Sequence, residues 1–410
     1  MIKKIRLEQL DPGMFVADFN CGWLEHPFLT NSVFVKDART VEKIKEFGIR
    51  ELYIDTKKGA DVGEGHGKAR EEVQKELHEE LHRLVEMERT VINTVPMEEE
   101  IPHAKAVKHE AKQVVTGILH EARLGKQVEL EEANHVVEKM VDSVFRNVDA
   151  LASLSRIKSK DQYTFMHSVN VCVLMIAFCR FIGIDRDIIQ KVGVGALLHD
   201  IGKMRVPDLV LNKPGSLTDA EFELMKSHVV HGHDILIATK GVPFEAIEVA
   251  SQHHERFDGT GYPLKLDHGN ISRFGKMAAL ADVYDAITTN RVYHKGLEPA
   301  EAIRKIYEWS KHHFDGELAQ YFVKCVGIYP VGTLVRLESG LLAVVAMPGQ
   351  RSMLTPTVIA VYDAAKHLRI SPHEIALDGP AGERHRIIGY EDPGKFHLNP
   401  LDYLDLAGVM

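Results

Sequence analysis

The sequence predicts a mainly α protein, with an all-helical domain in the centre, a small α/β N-terminal domain and a short β-rich C-terminal appendage. Three observations predict this. From about 102 to 311, nearly every stretch carries helical periodicity broken by short loops, as in EANHVVEKMVDSVF and IIQKVGVGALLHDIG. Beyond Gly327 the texture changes to β-branched runs separated by Gly and Pro, YPVGTLVRLESGLLAVVAM and PTVIAVYDA. Before about residue 60, short apolar runs alternate with turn formers. The boundaries read as 1–60 for the α/β domain, 61–125 for a charged helical linker, 126–326 for the central domain and 327–410 for the appendage.

Within the first part, the apolar runs 14–16 and 33–35 are set off by the turn formers Asp11, Pro12 and Gly13. A helical stretch follows at 41–47, and then the β-like ELYID ending at Asp55. The glycine-rich polar stretch KKGADVGEGHG (57–67) reads as a linker. In the charged segment 68–91, Val73, Leu77, Leu81 and Leu84 mark one face of a helix. That stripe reads equally as a helix lying on its own chain or as a dimerising helix, because it is shorter than a persuasive coiled coil. No internal repeat or low-complexity tract is present.

Bulk properties narrow the function. A chain of 410 residues has room for two or three domains, and 45% hydrophobic with 27% charged residues is an ordinary globular balance. The apolar run 171–179 is far short of the ~20 residues a spanning helix needs, and the polar start MIKKIRLEQLD lacks a signal-peptide core, so the expected location is the cytoplasm without membrane insertion. Cys21, Cys172, Cys179 and Cys325 are scattered with no CxxC pair, which fits a reducing compartment and argues against a zinc ribbon. A formal charge of −9 argues against a nucleic-acid polymer as partner, so a phosphate ligand must meet a local basic pocket. Imidazole is a favoured ligand for transition metals, and the chain carries 23 histidines whose spacing decides their meaning.

The informative residues are His167, His199, Asp200, His228, His253, His254 and Asp282, each in or at the end of a helical stretch. Taken singly, His167 or His228 reads more often as an ordinary core or surface histidine. The adjacent pairs carry more. Neighbouring helix residues point about 100° apart, so a His-Asp or His-His pair at a helix end can address two neighbouring metals, and a carboxylate there can bridge them. Two metals roughly 3.5 to 4 Å apart are the standard device for phosphodiester hydrolysis.

The segments HDIGK (199–203), KPGSLTDAEFELMKSH (213–228), HHERFDGTGYP (253–263) and ADVYDAITTNR (281–291) resemble the signature of the HD-GYP family. The match runs from about His167 to Asp315, and the chain start RLEQLDPGMFVADFNCGWLEHPF resembles the uncharacterised N-terminal domain often fused to HD-GYP units. The resemblance implies an HD-type helical domain. The implied activity is metal-dependent hydrolysis of the second messenger cyclic di-GMP to the linear dinucleotide, and onward to GMP, by a hydroxide bridging two divalent metals, Fe or Mn foremost.

By the same resemblance, His167, His199 and Asp282 belong to one metal, His228, His253 and His254 to the other, and Asp200 bridges. Asp200 and Lys203 are the expected catalytic pair. Lys203, Arg291, His294 and Tyr262 are expected to contact substrate, and Gly261, Tyr262 and Pro263 form a loop that also offers a surface to partners such as diguanylate cyclase domains. Lys203 also reads as a helix-end lysine compensating the dipole, and Arg291 as a surface salt-bridge partner. Two positions depart from the family. Tyr163 stands where some members place a glutamate for a third metal, and a phenol with a pKa near 10 is a poor ligand. His294 stands where the family has a basic residue. The alternative reading is a regulatory scaffold that binds the dinucleotide or a cyclase with little turnover.

Overall fold

The computed structural model describes residues 1–21, 31–63, 67–86, 93–156, 163–215, 217–290 and 296–404. The N-terminal part is a sheet of β1 (Ile2–Arg6), β2 (Phe15–Asp18), β3 (Val33–Phe34), β4 (Glu51–Asp55) and β5 (Lys68–Ala69), with α1 (Ala38–Glu46) packed on it. The strand order is β3-β2-β4-β1-β5, and the pairings are antiparallel. Asp37 caps α1 by accepting from the Thr40 amide, and Ile44 turns into the core with Val16, Leu52 and Ile54.

Part of the stretch read as a linker, 57–67, lies against the sheet. Ala60 donates its amide to the Gly13 carbonyl, Val62 is buried in the N-terminal core, and β5 pairs with β1 just beyond. Composition marked this stretch as polar and glycine-rich, but one backbone hydrogen bond and one buried valine lay residues 60–62 against the sheet.

The helical body follows as α2 (Arg70–Val85), α3 (Met97–Arg123), α4 (Leu130–Arg146), α5 (Val148–Arg156), α6 (Tyr163–Phe181), α7 (Arg186–Leu198), α8 (Asp208–Leu211), α9 (Asp219–Ala238), α10 (Phe244–Gln252), α11 (Arg273–Thr288), α12 (Pro299–Trp309) and α13 (Gly316–Val326). The stripe Val73, Leu77 and Leu81 on α2 is buried within this chain, where α2 packs on α12, α13 and the edge of the N-terminal sheet. Of the two sequence readings of that helix, the structure shows the one in which it lies on its own chain. Helix α6 is buried from Val169 to Cys179 and, Asn170 apart, apolar there on every side, as expected of a helix through the middle of a bundle.

The chain closes with β6 (Leu334–Leu337), β7 (Leu341–Met347), β8 (Thr357–Asp363), β9 (Leu368–Ala376), β10 (Ile387–Tyr390) and a short α14 (Leu401–Leu404), the sheet running antiparallel in the order β10-β6-β7-β8-β9. Its inner face is continuous with the helical core, which extends from Leu81 to Leu404. Among the described residues no helix is long and apolar enough to cross a membrane.

Candidate metal centre

Five helices deliver the side chains of interest. His167 lies on α6, and His199 with Asp200 follows the last turn of α7, before a single 3-10 turn (Ile201–Arg205). His228 lies on α9, whose start is fixed by a reciprocal capping box in which the Glu221 amide donates to Thr218 Oγ1 and the Thr218 amide donates to Glu221 Oε2. His253 and His254 follow α10, and Asp282 lies on α11, which is capped by Ser272. Gly202 allows the turn after Asp200 to press on α9. A Cβ there would overlap the His228 carbonyl oxygen and the Gly232 amide, and would stand 2.9 Å from Gly232 Cα.

The structure brings these side chains together. The donor atoms of His228, His253 and His254 lie within 4.8 Å of one another, and so do those of His167, His199 and Asp282. Asp200 sits between the two groups. Its Oδ1 is 3.4 Å from His228 Nε2 and 3.9 Å from His253 Nε2, while its Oδ2 is 3.4 Å from His199 Nε2 and 3.7 Å from His167 Nε2. Each carboxylate oxygen therefore faces one triplet.

The outer ring nitrogens fix the tautomers. Nδ1 of His199, His228 and His253 donates to the carbonyl three residues earlier, those of Ala196, Met225 and Ala250, at 2.8, 2.7 and 2.9 Å. Each Nε2 is thereby left as a lone pair facing the centre, the form a metal requires. Burial, which disfavours imidazolium, pushes His228 down to about 4 and His254 to about 3, and lowers His253 well below the ordinary histidine value. His167 goes the other way. Burial opposes its charge too, but hydrogen bonds to Asp282 and Asp285 outweigh that and raise it to about 9. Asp200 stays ionised well below the ordinary aspartate range: burial works against it, and Lys203 and His199 prevail.

Those residues fit a cationic group. Asp200 Oδ1 and His199 Nε2 are buried without a hydrogen-bond partner. Leaving such atoms bare costs roughly 1–3 kcal/mol each, a cost that coordination to a cation removes.

The remaining sequence candidates fall as follows. Lys203 lies beside the cluster, its Nζ 2.5 Å from Asp200 Oδ2 and the side chain 21% exposed, so the ammonium reaches both the centre and solvent. Tyr262 stacks on His254 with ring centroids 4.7 Å apart, and Lys226 Nζ lies 5.6 Å from the Tyr262 ring. Gly261, Tyr262 and Pro263 border the centre on the His254 side. There the Tyr262 amide donates to the His254 carbonyl, and buried Glu255 accepts from the amides of Leu264 and Leu266. Arg291 and His294 lie outside the described residues, as does the Tyr163 side chain.

Sequence reasoning missed Asp285 and Asn170. Asp285 Oδ2 is 2.7 Å from His167 Nδ1, and its Oδ1 accepts from Asn170 Nδ2 at 3.1 Å. The spacing was legible, since Asp285 lies three residues after Asp282 and so shares its helix face, but a lone helical aspartate usually faces water. Asp285→Ala should weaken metal affinity about 10- to 100-fold, the usual cost of losing an outer partner of a ligating histidine. Asp285→Asn, which keeps an acceptor, should weaken it less. Metal titration of the two variants decides, and equal affinities for both and the parent would remove Asp285 from the orientation of His167.

Histidines and aspartates, most of them buried, converging from five helices of an all-α body define the HD class of phosphohydrolases. Residues 149–318 match the family model described as HD domain, and residues 2–133 match the one described as Domain of unknown function (DUF3391). A cyclic di-GMP phosphodiesterase of Pseudomonas aeruginosa is 41% identical over 412 residues, covering 98% of this chain and 95% of the relative. A cyclic di-GMP phosphodiesterase of Vibrio cholerae is 36% identical over 189 residues, 42% of this chain and 38% of that protein. One from Thermotoga maritima is 35% identical over 184 residues, covering 45% and 50%. The chain belongs to the HD-GYP family and is a phosphodiester hydrolase.

Proposed function

We propose that this chain hydrolyses cyclic di-GMP to the linear dinucleotide, with GMP as the further product when both bonds are cut, at two divalent transition metal ions, iron or manganese. The observation that carries this reading is Asp200, whose two oxygens face separate triplets of donors. One ion would be held by His167, His199 and Asp282 and the other by His228, His253 and His254, with Asp200 shared. When bound, the ions supply a water nucleophile ionised near neutral pH and neutralise charge that builds on the phosphate.

The chain's own residues do the rest. His228, His253 and His254 are held neutral and present lone pairs without first shedding protons, whereas His167, raised to about 9, would give up its proton when an ion binds. Lys203 places an ammonium where a nonbridging phosphate oxygen would come, exchanging its hold on Asp200 for one on substrate. Tyr262, stacked on His254, offers an aromatic wall beside the centre. Arg291 and His294 are proposed to grip the dinucleotide. Leu264 is 71% exposed beside Pro263, which supports this loop as a surface for a diguanylate cyclase domain. The relatives named above are called cyclic di-GMP phosphodiesterases, which supports the same substrate here. We place this activity in the cytoplasm.

Protein purified without oxygen should hold close to two iron or manganese ions per chain and release linear dinucleotide from cyclic di-GMP. Elemental analysis joined to product chromatography tests both halves. A third well-occupied ion beside Tyr163 would overturn the binuclear reading, and metal-loaded protein that leaves cyclic di-GMP intact would overturn the substrate.

A further inference from the structure

The N-terminal sheet is docked on the helical body by charged and polar groups with little exposure. Lys4 Nζ lies 2.6 Å from Glu308 Oε1 and 2.8 Å from Glu51 Oε2, and Tyr53 Oη donates to the same Glu308 oxygen at 2.8 Å. Lys305 Nζ pairs with Asp18 Oδ2 at 2.9 Å, and Trp309 Nε1 donates to Asn20 Oδ1 at 3.1 Å. Lys305, Glu308 and Trp309 all belong to α12. These directional pairs fix how the sheet sits on α12.

A second contact falls on the loop between His254 and Tyr262. There an Arg256 guanidinium N–H donates to the Phe47 carbonyl at 3.0 Å, joining residues 209 apart in sequence. Gly48 beside it has φ +72°, and a Cβ would stand 2.6 to 2.9 Å from three side-chain atoms of Thr260. Thr260 is tied back to its own loop, donating to Asp258 Oδ1 at 2.6 Å and lying 3.3 Å from the Arg256 guanidinium. The end of α1 thus meets the segment whose two ends are His254 and Tyr262. Helix α1 reaches α9 as well, through the exposed pair Lys43 and Asp219 at 3.2 Å.

We propose that Arg256 is a positioning residue for the metal centre, and that the N-terminal unit, by supplying the Phe47 carbonyl, sets the loop that holds Tyr262 against His254. Displacing that unit therefore loosens the loop and lowers turnover. The loop has other anchors, namely the Phe257 amide on the His313 carbonyl and the Glu255 carboxylate on the amides of Leu264 and Leu266. Losing Arg256 should accordingly cost less than the hundredfold that a full 1 Å misplacement brings, about tenfold in kcat. The inference about turnover rests on the phosphodiesterase reading above, whereas the inference about the loop does not.

The test combines hydrogen exchange of residues 254–266 with turnover and metal content, in the full chain. Arg256→Ala should speed exchange there and lower kcat with metal content unchanged, and Arg256→Lys, which keeps a donor, should restore part of both. Asp18→Asn weakens the dock on α12 without touching the loop, and it should speed exchange at 254–266 in the same direction. If exchange and kcat match the parent in both Arg256→Ala and Asp18→Asn, the proposal fails. If Arg256→Ala acts and Asp18→Asn is silent at the loop, the part assigned to the N-terminal unit fails. Parent protein loaded with manganese that hydrolyses no cyclic dinucleotide would sink the activity reading, and the exchange measurement would still decide the loop.

Discussion

Asp200→Ala is expected to abolish hydrolysis, by a factor of at least ~1000, while the helical fold survives. Its carboxylate is 1% exposed and its two oxygens face separate triplets of donors, so its loss affects both proposed ions at once. A thousandfold loss is about 4 kcal/mol of transition-state stabilisation, the scale expected when a shared metal ligand is removed. The fold should tolerate the change for two reasons. Lys203, the cation paired with Asp200, is exposed enough to turn to water. The apolar body, from Val136 on α4 to Phe322 on α13, is built by other side chains and loses none of them in this variant. Metal-free variant and metal-free parent should therefore melt within a few degrees of each other. The metal-loaded parent should melt higher, because a ligand bound only by the native state adds stability by mass action. Circular dichroism, metal content and turnover on one preparation give the answer. A folded variant with near-parent rates would remove Asp200 from the mechanism.

How far the sequence alone led depended on how local each signal was. Most helices of the central body were legible because they carry their own period of apolar residues and several carry their own caps, such as Thr218 with Glu221. The terminal strands were legible from β-branched runs such as 341–347. Strand β5 was not, because two residues hold no periodicity and their pairing with β1 is decided by contacts more than sixty residues apart. The fate of the α2 stripe was likewise undecidable from its own spacing, since the same face serves a dimer or an intramolecular bed.

The candidate site divides in the same way. His199 with Asp200 and His253 with His254 announce themselves because covalent adjacency forces proximity. His167, His228 and Asp282 come from three other helices, and only the resemblance linked them before the fold brought them together. Asp285 gave no such signal, being one carboxylate among many. The dock of Phe47 on Arg256 was invisible because a backbone carbonyl leaves no trace in a sequence.

The second large effect is expected at Gly202, whose missing side chain lets the turn after Asp200 lie against α9. A methyl group there would collide with the His228 carbonyl and the Gly232 amide, and backbone atoms cannot rotate aside as a side chain would. The turn and the helix must separate, and such overpacking costs typically 1–3 kcal/mol. The cost to function should be larger, because the two sides of the collision carry Asp200 and His228, whose Oδ1 and Nε2 are 3.4 Å apart. A shift of about 1 Å between them can lower turnover ~100-fold and should weaken metal retention as well. Gly232 supplies the control. It lies across the same contact, but a Cβ there meets its neighbours at 3.5 to 3.8 Å, ordinary van der Waals distance. As α9 is helical at that point, Gly232→Ala should keep parent turnover and gain up to about 1 kcal/mol of stability. Thermal melts, metal content and turnover of Gly202→Ala and Gly232→Ala therefore separate a steric demand at one glycine from a general intolerance of the interface. Equal behaviour of the two variants would show that the close approach of turn and helix does not fix the spacing of Asp200 and His228.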